Sequence, residues 1–138
     1  MKLINNLNFN GRCREAFEHY AEVLGGKLTA MHTFGEMPGN KVDAAWQGKI
    51  AHAWLQVGDQ AIMGCDAPPE YAQPMGGFSV TLQAESTAEA RRIFSALSEG
   101  GRISMPIGET PWSPCFGMLT DRFGTPWMID TLTAQASS

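Results

Sequence analysis

The sequence predicts an α+β fold built from one strand–helix–strand–hairpin unit given twice. Three observations carry this. Two segments, Gly11 to Leu24 and Ser86 to Ser98, place apolar residues at helical spacing. Each is followed by a glycine pair, Gly25-Gly26 and Gly100-Gly101, and then by a basic and an aliphatic residue. The other ordered stretches alternate at period two and are joined by turn residues. Glu15-Ala16 compares with Glu89-Ala90 at an offset of 74 residues, and Gly25-Gly26-Lys27-Leu28 with Gly100-Gly101-Arg102-Ile103 at an offset of 75. That is a faint internal duplication.

The first unit opens with a strand over Leu3 to Phe9. Leu3, Leu7 and Phe9 face one way, and Ile4, Asn6 and Asn8 the other. Asparagine is a poor strand former, so Asn6 and Asn8 either lie on a solvated face or line a cleft. The helix buries Cys13, Ala16, Phe17, Tyr20, Val23 and Leu24, and the glycine pair ends it. Tyr20 reads as packing rather than as a reactive phenol. Lys27 to Phe34 is a strand. The Gly- and Pro-rich loop Gly35 to Gly48 is long enough for a lid or a binding loop, with Phe34, Met37 and Trp46 as its apolar side. Lys49 to Asp66 is a hairpin around Gly58-Asp59. Its first strand sets Ala53, Leu55 and Val57 on the apolar face and His52, Trp54 and Gln56 on the other. His52 beside a tryptophan is the best single candidate for chemistry, with a structural hydrogen-bonding role as the alternative.

Ala67 to Gly76 is a Pro-rich connector, so the units are expected at about 1–66 and 77–134 of a single domain. Gly77 to Ala84 is a strand, with Phe78, Val80 and Leu82 against Ser79, Thr81 and Gln83. Ser86 and Glu89 form a capping box for a helix that buries Ala90, Ile93, Phe94 and Leu97. Arg102 to Ile107 is a strand. The chain closes on a hairpin: Phe116 to Thr120, a turn at Asp121-Arg122-Phe123-Gly124, and Pro126 to Thr131. Gly124 supplies the positive φ, and Asp121 bonds its own backbone two residues on. Trp127, Ile129 and Thr131 face the core, whereas Met128 and Asp130 face away, so Asp130 must meet water, a partner or a ligand. Ala134 to Ser138 reads as a frayed tail. Helices cover one face of each unit. The faces left over carry Asn6, Asn8, His52, Trp54, Gln56, Ser79, Thr81, Met128 and Asp130.

Composition sets the outer limits. A chain of 138 residues with 43% apolar and 17% charged residues is one globular domain's worth. A net charge of −4 argues against nucleic acid and anionic membrane as partners. Cys13, Cys65 and Cys115 have no metal spacing and leave one over, which points to free thiols in the cytoplasm. The polar start is not a signal peptide, and no apolar run nears the roughly 20 residues of a membrane span. No Ser-His-Asp or Cys-His pairing stands out, and Cys115 among apolar neighbours reads as an inert thiol.

The string E-T-x-W-x-x-x-F-G from Glu109, then D-x-F-G-x-P-W-M-I from Asp121, resembles the PhnB-like branch of the vicinal oxygen chelate superfamily, the glyoxalase, bleomycin-resistance and dioxygenase group. L-N-F-N-G-x-C-x-E-A-F-x-x-Y from Leu7, F-G-E-M-P from Phe34, and I-x-H-A…G-x-x-I-M-x-x-D from Ile50 resemble it as well. The resemblance covers Leu3 to Thr131. It implies two βαβββ modules curling into one mixed sheet around a cleft, with the helices on the outer face, and often a homodimer. In metal-using members of the superfamily, His, Glu or Gln ligands sit on the first strand of each module and on the last strands. Here those positions fall near Asn5 or Asn6, His52, Phe78 or Ser79, and Met128, with Asp130 two residues further on. One good ligand and a displaced acid do not make a convincing octahedral-type site, so no tightly bound metal or other cofactor is expected. A weaker site from His52, Asp130 and Glu109 stays open if the strand registers differ. Some relatives carry a methyltransferase label, but no Gly-rich strand-to-helix turn followed by an acid supports it here.

Three functions follow. The first is a small-molecule binding protein whose cleft carries Asn6, Asn8, Trp54, Ser79, Thr81, Trp112 and Met128, with Phe34 and Trp46 as further aromatics. The second is a metal-dependent lyase, isomerase or dioxygenase using His52, with Glu109 and Asp130 as further catalytic candidates. The third is a structural or regulatory dimer with a vestigial cleft. Glu109 and Trp112 read either as holding a ligand's amine or hydroxyl and stacking its apolar part, or as a solvated acid and a core-closing ring. Whether the chain is an enzyme is left open, because one scaffold hosts many chemistries.

Overall fold

The computed structural model describes residues 1–39 and 41–132. The chain divides into two compact units, Met1–Pro74 and Met75–Ser138. The tail expected to fray lies outside the described residues.

The first unit runs β1 (Asn6–Phe9), α1 (Cys13–Leu24), β2 (Lys27–Thr33), β3 (Ile50–Val57) and β4 (Gln60–Asp66). The second runs β5 (Val80–Ala84), α2 (Thr87–Ser98), β6 (Arg102–Thr110), β7 (Ser113–Thr120) and β8 (Pro126–Thr131). The sheet orders are β1-β4-β3-β2 and β5-β8-β7-β6. In each unit the first strand runs parallel to the last, and the other pairs are antiparallel. The βαβββ unit is therefore given twice, in an α+β fold with neither sheet closed into a barrel. No helix among the described residues is long and apolar enough to cross a membrane.

Each helix packs its apolar stripe on one face of its own sheet. α1 buries Cys13, Ala16, Phe17, Tyr20 and Val23, and α2 buries Ala90, Ile93, Phe94 and Leu97. They meet Leu7, Phe9, Ala53 and Leu55 in the first unit's core and Val80, Leu119, Trp127 and Ile129 in the second's. The glycine pairs serve two purposes. Gly25 ends α1 in the left-handed region, and Gly100 has the same backbone sign after α2. Gly26 and Gly101 sit against a neighbouring strand. A Cβ at Gly26 would stand 2.8 Å from the Gln56 carbonyl oxygen, and one at Gly101 would collide with that of Thr120.

Several boundaries differ from the sequence reading. β1 starts only at Asn6, and Leu3 is 96% exposed. Phe78 precedes β5 and is exposed, because the chain joins the sheet only at Val80. β6 and β7 are longer than the hydrophobic alternation indicates, because three register shifts interrupt the period between them. The capping box is only half made. Ser86 accepts the Glu89 N–H at 3.1 Å, but the Glu89 carboxylate turns to Arg92 at 3.1 Å. The loop after β2 holds two short 3-10 turns, Phe34–Glu36 and Ala44–Trp46, and the Phe34 and Trp46 rings meet edge to face at 6.1 Å.

Two buried carboxylates organise the ends of the elements. Asp121 is 4% exposed. Its Oδ1 accepts the N–H groups of Phe123 at 2.9 Å and Thr125 at 3.0 Å, and its Oδ2 accepts Trp127 Nε1 at 2.9 Å. In the first unit Arg12 gives α1 no side-chain cap. Asp66, at the end of β4, does it instead. Its Oδ1 accepts the N–H groups of Gly11 and Cys13, and its Oδ2 that of Ile50, all at 2.9 Å.

The three cysteines are free. Cys13 and Cys115 are fully buried, whereas Cys65 is half-exposed. Burial, then the charge of Asp66 and then Cys65, push the Cys13 thiol far above its ordinary value against the smaller opposing effect of Arg14.

Two predictions follow from this framework. Asp121→Ala leaves three donors, two of them buried, without their acceptor and should destabilise the fold by about 3 kcal/mol in urea unfolding, with Asp121→Asn milder at about 1–2 kcal/mol. A loss below about 1 kcal/mol for the alanine variant would show that the carboxylate is dispensable. A thiol reagent should modify Cys65 alone in the native protein, and Cys65→Ser should abolish that phase. Rapid reaction of Cys13 or Cys115, read by peptide mass spectrometry, would contradict the burial described here.

Candidate functional site

Because each helix covers one sheet face, the opposite face is where side chains meet solvent or a ligand. The face in the first unit is built by register. Asn6 pairs with Met63, Met63 with Trp54, and Trp54 with Ala30, which makes one transverse row across β1, β4, β3 and β2. The next row holds Asn8 paired with Cys65, and His52 paired with His32. Asn6 Nδ2 donates to Asn8 Oδ1 at 2.9 Å and to Cys65 Sγ at 3.5 Å, and that thiol donates to Asn8 Oδ1 at 3.1 Å. Trp54 Nε1 donates to Gln56 Oε1 at 2.8 Å. The His52 and His32 rings stack at 6.2 Å with an interplanar angle of 10°, and His32 Nδ1 lies 3.3 Å from Glu36 Oε2.

The second unit has the same plan with other chemistry. Thr81 pairs with Met128, Met128 with Met118, and Met118 with Met105. Thr81 Oγ1 lies 3.7 Å from Met128 Sδ. In the next row Gln83 pairs with Asp130. Asp130 Oδ2 accepts Gln83 Nε2 at 3.3 Å, and Oδ1 accepts the Thr131 N–H at 2.8 Å and the Ser113 hydroxyl. Trp112, in the turn between β6 and β7, is 58% exposed and meets Phe116 edge to face at 5.5 Å.

The structure thus gathers Asn6, Asn8, His52 and Trp54 on one face, and Thr81, Met128 and Asp130 on another. Ser79 lies one residue before β5 and is half-exposed. Glu109 is exposed on β6, and among the described residues no hydrogen bond or ion pair joins its side chain to Trp112 or Asp130. One carry-over needs correction. His52 lies on β3, so the last-strand position of the first module belongs to Met63 and Cys65 on β4. Both strands of that hairpin alternate alike, and only the parallel pairing of β1 with β4 tells them apart. Sequence reading also missed His32, Met63, Cys65, Met105, Ser113 and Met118 as members of these faces. Period two would place each except Ser113 on its strand's outer side, but not beside its partners.

The superfamily resemblance implies a divalent metal, and such an ion needs several donors gathered at one place. Among the described residues no group of three His, Cys, Asp or Glu side chains is placed to hold an ion. The thiol of Cys65 is engaged with two amides, and Asp130 already accepts three neutral donors. An open cavity of about 270 Å³ beside the start of α1 is lined by Arg14, Glu15, Glu18, Lys49 and Asp66, and none of the residues of the two faces lines it.

The model of the family described as 3-demethylubiquinone-9 3-methyltransferase matches residues 1–130. Protein YjdN of Escherichia coli K12 is 35% identical over 144 residues, which cover 98% of both chains. Among solved structures, protein PA1353 of Pseudomonas aeruginosa is 47% identical, with a TM-score of 0.88 over 95% of this chain and 97% of that one. A PhnB protein from Bacillus cereus is 24% identical, with a TM-score of 0.78 over 96% and 100%. The fosfomycin resistance protein FosX of Listeria monocytogenes shares the fold alone, at 7% identity and a TM-score of 0.66 over 100% and 98%. By the family match and the end-to-end likeness to YjdN, the chain belongs to the family described as 3-demethylubiquinone-9 3-methyltransferase.

Proposed function

We propose that the protein binds a small organic ligand on the strand faces its helices leave uncovered, without a tightly bound catalytic metal, and that it works as a homodimer in the cytoplasm. One observation carries the reading. The rows Asn6–Met63–Trp54 and Thr81–Met128–Met118 join amide or hydroxyl, thioether and aromatic or second thioether groups across paired strands. Thioethers adapt to irregular apolar shapes, and the flanking polar groups fix orientation, which suits an amphipathic ligand. Hard divalent cations favour oxygen donors instead. The methyl transfer in the family's description gains no support from these side chains, which offer no obvious cofactor-binding turn.

Dimer formation is supported by β6, an edge strand that exposes Ile103 at 49% and Met105 at 37%. The free cysteines fit a reducing compartment.

Calorimetric titration with Ni, Zn, Fe, Mn and Mg should give no stoichiometric binding. About one equivalent bound, and lost in His52→Ala, would replace this reading with a metal-dependent lyase or dioxygenase. A fragment screen followed by amide chemical shifts should place hits around Trp54 or Met128, and hits confined to the helical faces would refute the site. Light scattering should give twice the 15.0 kDa of one chain.

A further inference from the structure

We infer that the uncovered face of the second unit seats an organic ammonium group, with the Asp130 carboxylate as counter-charge and Trp112 as aromatic wall. This rests on the ligand-binding reading and deepens it by naming the class of ligand. Asp130 sits on β8, an interior strand of its sheet. Its oxygens are held by three neutral donors: the Ser113 hydroxyl, the Thr131 N–H and the Gln83 amide. No Lys, Arg or His forms an ion pair with it among the described residues. Neutral donors fix a carboxylate in place but leave its net charge uncompensated, and Asp130 is only half-buried.

The aromatic side of the seat follows from the register. Gly117 pairs with Ile129, so Phe116 comes beside Asp130 at the next step along β7 and β8. A Cβ at Gly117 would strike the Phe94 ring of α2, so Gly117 faces the helix and Phe116 faces away from it. Trp112 stands edge-on against Phe116, which is itself buried, while most of the Trp112 surface stays open. The neighbouring residue Ser113 bonds directly to Asp130, which ties the turn that carries Trp112 to the carboxylate. A fixed, uncompensated carboxylate, with an exposed indole on the residue next to its Ser113 partner, is an arrangement that attracts an ammonium through ion pairing and the ring quadrupole. The Met128–Met118 row adjoins it and offers a polarisable floor for the apolar body of such an amine. A carboxylate ligand would be repelled here, and a neutral one would leave the charge unmatched.

The test compares three probes with one body: 2-phenylethylammonium, 2-phenylethanol and phenylacetate. Each is titrated into the full chain and followed by backbone amide shifts of Gln83, Trp112 and Met128 to Thr131. The ammonium should bind about tenfold more tightly than the alcohol, and phenylacetate should not bind. Asp130→Asn should abolish the preference for the ammonium, Asp130→Glu should retain part of it, and Trp112→Ala, which removes a mostly exposed ring, should weaken both binding probes. Equal binding of ammonium and alcohol at these residues overturns the charge assignment while the ligand-binding reading stands. If neither probe shifts these residues, this inference falls, and hits elsewhere in the fragment screen would still uphold ligand binding at the first unit's face.

Discussion

The hydrogen bonds to Asp121 and Asp66 are the constraint on which the uncovered strand faces depend. A turn or a strand end that enters the core carries backbone N–H groups that must find acceptors, and one carboxylate can serve several. Asp121 serves two N–H groups of its own turn and the indole of Trp127. It thereby fixes where β7 stops and β8 starts, with Thr120 opposite Pro126. That register turns Trp127 and Ile129 toward α2 and sends Met128 and Asp130 outward. A slip of one residue would exchange the two sets, and with them the whole site. Asp66 does comparable work at the other end of a sheet, where it holds the start of α1 and the start of β3 to the end of β4.

This explains what was legible in the sequence and what was not. The C-terminal hairpin could be read because its information is local. Asp121, Gly124 and the alternation of Trp127 with Met128 lie within a few residues of one another, and the fold and family followed from them. The first-strand face was likewise open to reading through Leu7 and Phe9 set against Asn6 and Asn8. Asp66 could not be read as a helix cap, because its donors at and just before the start of α1 are 53 and 55 residues away. The company of Cys65 was hidden for the same reason. Its amide partners lie on β1, 57 and 59 residues earlier, and only a parallel pairing brings them together. Trp112 was singled out, but its contact with Phe116 and the bond of its neighbour Ser113 to Asp130 arise where the register of β6 shifts, and a period-two reading cannot pass through such a shift.

The duplicated topology lets the two units be compared position by position. Backbone bonds from Ala67 to Phe9 and from Leu132 to Ala84 mark the same place at the end of β4 and of β8. Counting back from them, Met63 corresponds to Met128, Asp66 to Thr131, and the pair Asn6–Met63 to Thr81–Met128. The two units therefore keep a thioether at one equivalent site and diverge around it. The first adds amides, a thiol and stacked imidazoles. The second adds two more thioethers, a carboxylate and an exposed indole.

That correspondence bears on why a metal is not favoured in the proposed function. The resemblance puts a ligating acid where the final strand carries Met128, and the internal comparison puts Met63 at the matching place of the first unit. A thioether is a soft, neutral donor and gives a hard divalent ion neither charge nor a strong bond. Asp130 does not restore the site by standing two residues further on. Two residues along a strand is about 7 Å, and its oxygens are already committed to Ser113, Thr131 and Gln83. What the substitution provides instead is an adaptable apolar surface at the centre of each face, with the charged or polar group displaced to its edge. In the proposed function such a surface would select by shape and by one well-placed charge, which is a demand that a ligand rather than an ion can meet.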